Sequence, residues 1–286
     1  MTKNADPSRF VLTLSCPDRP GIVYAVTALI ASNEGNIIQS QQFGDPDTGL
    51  FFMRVELDSP AGREPIDAGM RKFGEEFKAS WHLEEAGHRM RTIIMASKEG
   101  HCLSDLLYRQ RYLDLNIDVV AVVANHPDLA PVAQFYSVPF LCIPVTPETK
   151  AEAEKELLNL VRAENVELVV LARYMQILSD EMCRELAGNV INIHHSFLPS
   201  FKGARPYQQA HDRGVKLIGA TAHYVTAELD EGPIIEQDVT RVSHRESTRD
   251  LVALGQDVER RVLAQAVTWH CERRVLLNGH RTVVFS

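Results

Sequence analysis

The sequence lacks several features that would each indicate a class of protein. It has no run of basic residues and its net charge is −8, so we expect no nucleic-acid partner. Its apolar runs are too short to span a membrane, and its first ten residues, MTKNADPSRF, have no apolar core typical of a signal peptide. We therefore expect a cytoplasmic protein with no membrane partner.

Cysteine is also scarce, and no two cysteines form a CxxC pair. The five are Cys16, Cys102, Cys142, Cys183 and Cys271. An odd number of isolated cysteines is typical of reduced thiols in the cytosol, not of a disulfide framework or a zinc site. With 286 residues, the chain is long enough for two ordinary domains.

The first block, residues 8–88, alternates strand and helix patterns. A strand, RFVLTLSCP, leads into IVYAVTALIASNEGN, whose apolar residues recur at helical spacing. Two strands, IIQSQQF and LFFMRVEL, flank the turn signal GDPDTG, and a helix and a last strand follow in EPIDAGMRKFGEEF and ASWHLEEA. The pattern predicts a ferredoxin-like βαββαβ domain.

The second block, residues 91–286, has short, nearly continuous apolar runs: RTIIMAS, DVVAVVAN, FLCIPV, ELVVLAR and NVINIH. Charged, helix-like segments lie between them, which indicates a Rossmann-like α/β domain whose mostly parallel sheet is covered on both faces. Two antiparallel strands, a long helix over 247–274 and a hairpin around Asn278-Gly279 should complete this domain.

One strand end in the second block carries unusual polar chemistry. Asn192 and His194 are two residues apart, so they should share a face of the strand, at the sheet edge where ligands bind. A carboxylate, Asp230, precedes the turn signal Gly232-Pro233. An amide, an imidazole and a carboxylate suit attack on a carbonyl group, although each residue alone is also typical of a turn or a structural role.

Two further histidines fall near this trio. His195 follows His194 directly, so we expect it to face the other side of the strand, either packed there or supporting Asp230 together with His223. A metal site built from His194, His195 and His223 is not expected, because adjacent strand residues face opposite ways.

The segments NIHHSFLPSFKGARPY and GATAHYVTAELDEGPII resemble the formyltransferase domains that use 10-formyltetrahydrofolate. The resemblance covers roughly residues 90–286 and implies catalytic roles for Asn192, His194 and Asp230. It also implies that the folate is a substrate and that no cofactor is needed. The implied folate contacts are Met175, Gln176, Ile177 and Leu178 in ARYMQIL, and Val225, Thr226 and Leu229 in the loop before Asp230.

The first block resembles the ACT domain, an amino-acid-sensing module, through CPDRPGIVYAVTALIASNEGNI. This resemblance implies an effector site at Asp18, Arg19, Gly21 and Asn36. It also implies a homo-oligomer, because such modules associate edge to edge. Glycine and methionine are the effectors that we expect, because both are linked to one-carbon units.

An ACT domain joined to this second domain is similar to the formyltetrahydrofolate deformylase family. That similarity implies hydrolysis of 10-formyltetrahydrofolate to formate and tetrahydrofolate, which would balance one-carbon units and supply formate for purine synthesis. The second block also resembles glycinamide ribonucleotide transformylase, whose Gly-rich turn holds a phosphate. The corresponding turn here, SKEGHCLSDLL, keeps only Gly100 and adds Glu99, although Lys98 and His101 are positive or can become so.

Two alternatives to the hydrolase therefore stay open. One is a transformylase acting on an amine acceptor. The other is a sensor whose enzyme domain no longer reacts, which the presence of all three polar residues disfavours.

Overall fold

The computed structural model describes residues 8–198 and 206–286. It divides into two compact units, residues 1–88 with 272–286, and residues 89–271. In the described part of the chain, no helix combines the length and the apolar character that a membrane span requires. The predicted motif residues Pro199 to Arg205 lie outside the described residues.

The first unit contains the predicted βαββαβ order. Its elements are β1 Ser8–Pro17, α1 Ile22–Ser32, β2 Asn36–Asp45, β3 Leu50–Ser59, α2 Arg63–Phe77 and β4 Ser80–Glu85. The four strands form one antiparallel sheet in the order β2-β3-β1-β4.

Alternation along the central strand β1 creates the core of this unit. Phe10, Leu12 and Leu14 share one face and are each at most 1% exposed. Both helices cover that face, because Ile22 and Val26 of α1 and several apolar residues of α2 recur at helical spacing and belong to the same cluster. The ferredoxin-like prediction is confirmed.

The C-terminal residues differ from the prediction, which placed them in the second domain. The hairpin of β12 Val275–Asn278 and β13 Arg281–Val284 belongs to the first compact unit. Asn278 Nδ2 donates to Asp45 Oδ2 at 2.6 Å, and the buried Arg54 guanidinium donates to the Glu272 carbonyl at 3.1 and 3.2 Å. These contacts join residues more than 200 positions apart, which local sequence patterns do not reveal.

The second unit is an α/β domain. Its strands are β5 Met90–Ala96, β6 Ile117–Ala124, β7 Phe140–Cys142, β8 Leu168–Leu171, β9 Val190–His194, β10 Leu217–Tyr224 and β11 Ile234–Arg241. Its helices are α3 His101–Tyr112, α4 Ala130–Phe135, α5 Lys150–Ala163, α6 Asp180–Glu185, α7 Pro206–Asp212 and α8 Thr248–Cys271, with a 3₁₀ turn at Pro127–Leu129.

The seven strands form one sheet in the order β11-β10-β9-β8-β5-β6-β7. Strands β5 to β9 pair in parallel, whereas β10 runs antiparallel to both β9 and β11. Strands β5, β6 and β8 are almost entirely buried, which explains their nearly continuous apolar sequences. Strand β9 therefore lies between the parallel part of the sheet and its antiparallel edge, and its last residues open the site described below.

The buried Arg54 provides a test of how the C-terminal hairpin is held. Its side chain is 3% exposed and donates to Gln39 Oε1 and to the Glu272 carbonyl. Arg54→Met should remove the hydrogen bonds to both acceptors, and because Gln39 and Glu272 are not buried, each loss should cost only about 0.5–1.5 kcal/mol. We expect faster hydrogen exchange in the hairpin, residues 275–284, measured by mass spectrometry.

Peptides from α5 should exchange at the wild-type rate and serve as the internal control. Unchanged exchange in the hairpin of the variant would show that Arg54 does not hold this segment.

Candidate active site

The polar end of β9 is built by cross-strand pairing. Asn192 lies opposite His223 of β10, and His194 lies opposite Thr221. Because side chains alternate along a strand and neighbours in register share a face, Asn192, His194 and His223 come together on one side of the sheet. The predicted shared face of Asn192 and His194 is therefore present.

Asp230 reaches this face from a tight turn after β10. Its φ is 56°, a left-handed conformation that aspartate tolerates better than most residues. Two residues later, a Cβ on Gly232 would lie 1.7 Å from the Tyr224 carbonyl oxygen, so the turn packs against β10 only because that residue is glycine. The Gly-Pro signal in the sequence thus marks a turn that aims the carboxylate back at the strands.

The trio is in direct contact. His194 Nδ1 lies 3.2 Å from Asp230 Oδ2, and His223 Nε2 lies 3.7 Å from Asp230 Oδ1. His223 Nε2 also lies 3.2 Å from Asn192 Nδ2. One carboxylate therefore faces two imidazoles, and one of these imidazoles also contacts the amide.

The contacts of His223 determine which way the Asn192 amide points. Its Nδ1 lies 2.9 Å from the Tyr224 carbonyl, which only accepts, so Nδ1 carries a proton. In its neutral form, His223 then accepts a hydrogen bond at Nε2 from the Asn192 amide. The second N–H of the Asn192 amide stays available for a ligand, so His223 is a positioning residue for Asn192.

The carboxyl group of Asp230 is ionised at neutral pH. Burial raises its pKa, but the hydrogen bond from His194 and the interactions with His223 outweigh burial, and the resulting pKa lies well below that of an ordinary aspartate. His194 is 7% exposed, and its Nε2 has no hydrogen-bond partner among the described residues. The imidazole thus holds Asp230 with Nδ1, whereas its Nε2 is buried and unpaired among the described residues.

These residues line a cavity of about 250 Å³. The structure brings every residue of the predicted folate segments to its wall: Met175, Gln176, Ile177, Leu178, Val225, Thr226 and Leu229. Met175, Ile177 and Leu229 are 58%, 58% and 56% exposed, so three large apolar side chains face solvent around this one cavity. The Met175 amide is anchored by a hydrogen bond to Ser97 Oγ at 2.9 Å.

His195 does not lie where the sequence predicted. It lines the same cavity as His194, and the two rings stack with centroids 5.2 Å apart at 25°. The prediction of opposite faces was wrong because β9 ends at His194 and the chain bends there, so the two-residue alternation no longer applies. For the same reason, strand alternation no longer argues against a metal site shared by His194, His195 and His223.

Sequence reasoning missed a buried charged cluster beside the cavity. Glu259 of α8 is 1% exposed, and it contacts His101, Arg173 and Tyr207. A signal existed, because Glu259 lies on the apolar face of its helix, with Gly255, Val262, Leu263 and Ala266 at helical spacing and all buried.

His101, Cys102 and Glu259 also lie close enough together to hold a metal ion. They do not fit one, because the Arg173 guanidinium lies 3.4 Å from the carboxylate oxygen, and burial followed by the Glu259 charge raises the pKa of the Cys102 thiol well above its usual value. Cys102 is a buried free thiol, and all five cysteines, each within the described ranges, are unpaired.

The predicted effector residues lie in the loop between β1 and α1 and at the start of β2. Asp18 and Arg19 are exposed, Gly21 precedes α1 with a φ of 95°, and Asn36 begins β2. Arg19 stacks on the Phe77 ring at 4.0 Å and donates to the Glu76 carbonyl at 3.1 Å. Arg19 therefore holds the end of α2, a structural contact that the sequence did not indicate.

Comparison with known proteins defines the class of both parts. The family model described as "Formyl transferase" matches residues 90–267, and the one described as "ACT domain" matches residues 10–67. The chain is a formyltransferase-fold protein with an N-terminal ACT domain.

Curated relatives match almost the whole chain. A formyltetrahydrofolate deformylase of Corynebacterium sp. (strain P-1) is 50% identical over 96% of this chain and 98% of the relative, and one of Escherichia coli (strain K12) is 41% identical over the same shares. A deformylase crystal structure from Burkholderia mallei aligns with a TM-score of 0.92 at 49% identity, covering 98% of this chain and 100% of that one. The chain belongs to the formyltetrahydrofolate deformylase family.

Transformylases are more distant. Glycinamide ribonucleotide transformylase 1 from Symbiobacterium toebii aligns with a TM-score of 0.66 at 29% identity, and it covers 72% of this chain and 98% of that one.

The position of His195 has a consequence for the pH dependence of stability. Burial, together with the charges of Arg173 and His194, lowers the pKa of His195 to about 4, whereas an unfolded histidine titrates near 6.5. Between these values the unfolded chain binds more protons than the folded one, so His195 makes stability fall as the pH drops through this window. His195→Gln should remove this contribution.

We therefore expect the difference in melting temperature, variant minus wild type, to increase in favour of the variant from pH 7 to pH 5. A difference that stays constant with pH would mean that His195 titrates normally in the folded protein. His82, which is 47% exposed, offers a matched control as His82→Gln.

Proposed function

We propose that this protein hydrolyses 10-formyltetrahydrofolate to formate and tetrahydrofolate at the cavity formed by Asn192, His194 and Asp230. The observation that carries the proposal is that three polar groups meet at one cavity: an amide, an imidazole and an ionised carboxylate. The exposed apolar segments 175–178 and 225–229 receive the pterin and bring the formyl group to these three residues.

In the proposed mechanism, Asn192 and His194 stabilise the negative charge that develops on the formyl oxygen. The Asn192 amide points its second N–H into the cavity because His223 takes the first. In its imidazolium form, His194 donates from Nε2 while its Nδ1 faces the Asp230 carboxylate. Two donors that are in place before the reaction begins need no reorganisation, which is the main source of transition-state stabilisation in acyl transfer.

Water is the nucleophile. Asp230 Oδ1, the oxygen not used by His194, accepts a hydrogen bond from the water and takes its proton as the new C–O bond forms. The bond between the formyl carbon and the folate nitrogen then breaks, and that nitrogen takes the proton. Formic acid loses its own proton to solvent, so the products are tetrahydrofolate, formate and one proton.

The charges near the first turn of the second domain favour water over a phosphorylated acceptor. Glu99 lies 3.7 Å from His101 Nδ1 and 3.7 Å from Arg173 Nη2, so the side chains next to this turn that could bind a phosphate already face a carboxylate. An incoming phosphate would meet the charge of Glu99. Transfer to an amine acceptor is the alternative reaction, and release of formate in the absence of an acceptor distinguishes the two.

The purified protein should therefore release formate from 10-formyltetrahydrofolate with no amine present. Asp230→Asn should lower kcat by about 10²- to 10⁴-fold, because the variant loses the proton acceptor and the charge that holds His194. Binding of tetrahydrofolate, measured by calorimetry, should stay close to that of the wild type. Near-normal turnover by this variant would remove Asp230 from the mechanism.

Asn192 and His223 can be separated by their effects on rate. Asn192→Ala removes an oxyanion donor and should lower kcat by about 10²- to 10³-fold. His223→Phe keeps the ring volume but frees the amide to rotate, so it should reduce kcat less than Asn192→Ala while leaving the KM for the folate unchanged. A double variant no slower than Asn192→Ala would show that His223 acts through Asn192, whereas additive losses would refute that.

The cellular setting is part of the same proposal. We propose a cytoplasmic homo-oligomer that supplies formate for purine synthesis and balances one-carbon units, with no cofactor and no nucleic-acid or membrane partner. ACT domains as a class bind amino acids, and the loop Asp18–Gly21 leads into the first turn of α1, where backbone N–H groups suit a carboxylate. Glycine or methionine is the proposed effector.

The effector proposal is tested by adding glycine or methionine to the enzyme. One of the two should change turnover and bind with a measurable heat, and alanine should do neither at the same concentration. Gly21→Val places a β-branched residue at positive φ and should abolish the response without lowering basal turnover. Absence of binding by both amino acids would overturn this part of the proposal.

A further inference from the structure

A second cavity adjoins the reaction cavity. It has a volume of about 190 Å³ and lies where the turn after β5 meets the end of β6, with Ser97, Lys98, Glu99, Asn125 and His126 in its wall. The two cavities share three lining residues, Arg173, Met175 and Gln176. Arg173 is the buried member of the shared wall, at 9% exposure, whereas Met175 is 58% exposed.

The backbone of Arg173 adopts a conformation that arginine disfavours. Its φ is 65°, in the left-handed region where glycine has no steric penalty. Non-glycine residues persist in this region when the surrounding contacts force them to, and such positions cluster at functional sites. Contacts around Arg173 must therefore offset this backbone strain.

Glu259 supplies those contacts. Its Oε2 lies 3.4 Å from Arg173 Nε and 2.8 Å from His101 Nε2, and its Oε1 accepts a hydrogen bond from the Tyr207 hydroxyl at 2.5 Å. Burial raises the pKa of Glu259, but the hydrogen bond from His101 and the charge of Arg173 outweigh burial. The net pKa is lowered, so the group is ionised. A buried carboxylate with three partners fixes the guanidinium in place.

Arg173 keeps unused hydrogen-bonding capacity at this position. Its Nε and Nη1 are buried and make no hydrogen bond within the described residues, and only Nη2 and Nε approach carboxylates. A guanidinium placed only for stability would normally have these donors satisfied. Its location between two cavities indicates a role in separating them.

We propose that Arg173, held by Glu259, is a specificity-determining residue that separates the reaction cavity from its neighbour, so that water but not a primary amine reaches the formyl carbon. This inference rests on the proposed hydrolysis. An amine seated in the second cavity could reach the formyl group only across the guanidinium, whose charge and volume block it. Water is small enough to enter the reaction cavity beside the folate, whereas an amine needs the second cavity to hold the rest of its molecule.

Removing the block should allow a second reaction. The nitrogen of an amine in the second cavity attacks the formyl carbon, and the bond from that carbon to the folate nitrogen breaks. One amine proton passes to the folate nitrogen. The products are an N-formyl amine and tetrahydrofolate, and no oxidant, reductant or other reactant is required.

The test is Arg173→Gly with glycinamide as the amine. Glycine suits the positive φ, so the substitution removes the side chain without adding backbone strain. Mass spectrometry measures N-formylglycinamide and formate formed from 10-formyltetrahydrofolate. We expect the ratio of the two products to rise about tenfold or more over that of the wild type, the scale on which a pocket wall discriminates between ligands.

Two further variants control for unrelated effects. Arg273→Gly removes an arginine of the same backbone conformation, φ 54°, that lines neither cavity, and it should leave the product ratio unchanged. Arg173→Gly combined with Glu259→Gln removes both buried charges together. This double variant should formylate glycinamide, and it keeps the test available if Arg173→Gly alone does not fold.

The outcomes distinguish failure of the proposed hydrolysis from failure of the role proposed for Arg173. A wild-type enzyme that releases no formate refutes the proposed function. A wild-type enzyme that releases formate and also formylates glycinamide refutes the role of Arg173, and so does a folded, hydrolysing variant whose product ratio equals that of the wild type.

Discussion

The structure of the site depends on one carboxylate shared by two imidazoles. Asp230 lies 3.2 Å from His194 and 3.7 Å from His223, and it stays ionised although it is half-buried. That negative charge orients His194, and His223 in turn orients the Asn192 amide. Each polar group of the trio therefore takes its direction from its neighbours, which makes the site rigid.

The fold provides what these contacts need. Strand β10 runs antiparallel to β9, so His223 and Asn192 come into register, and the chain then returns through a glycine that packs against the Tyr224 carbonyl. A parallel neighbour on that side would require a long crossover, and the turn bearing Asp230 would not follow β10 directly. The antiparallel edge of an otherwise parallel sheet is thus a functional feature of the domain.

Local patterns in the sequence were sufficient to predict where most of the site residues lie. Period-two alternation placed Asn192 and His194 on one face, and the Gly-Pro pair located the turn that carries Asp230. Alternation failed at His195, where the strand ends. Glu259 was overlooked because a charged residue on a long helix is usually solvated, and only its apolar neighbours mark it as buried. The pairing of Asp45 with Asn278 spans 233 residues, and no short-range rule predicts such a contact.

The C-terminal hairpin also imposes an order on biosynthesis. The strands and helices of the first compact unit leave the ribosome early, yet Asp45 meets Asn278, and Gln41 meets the Ser286 carbonyl, only after the whole of the intervening domain has been translated. Domains generally fold as they emerge. The first unit can form its last contacts only at the end of translation. The nascent ACT module is therefore incomplete for as long as the enzyme domain is being made.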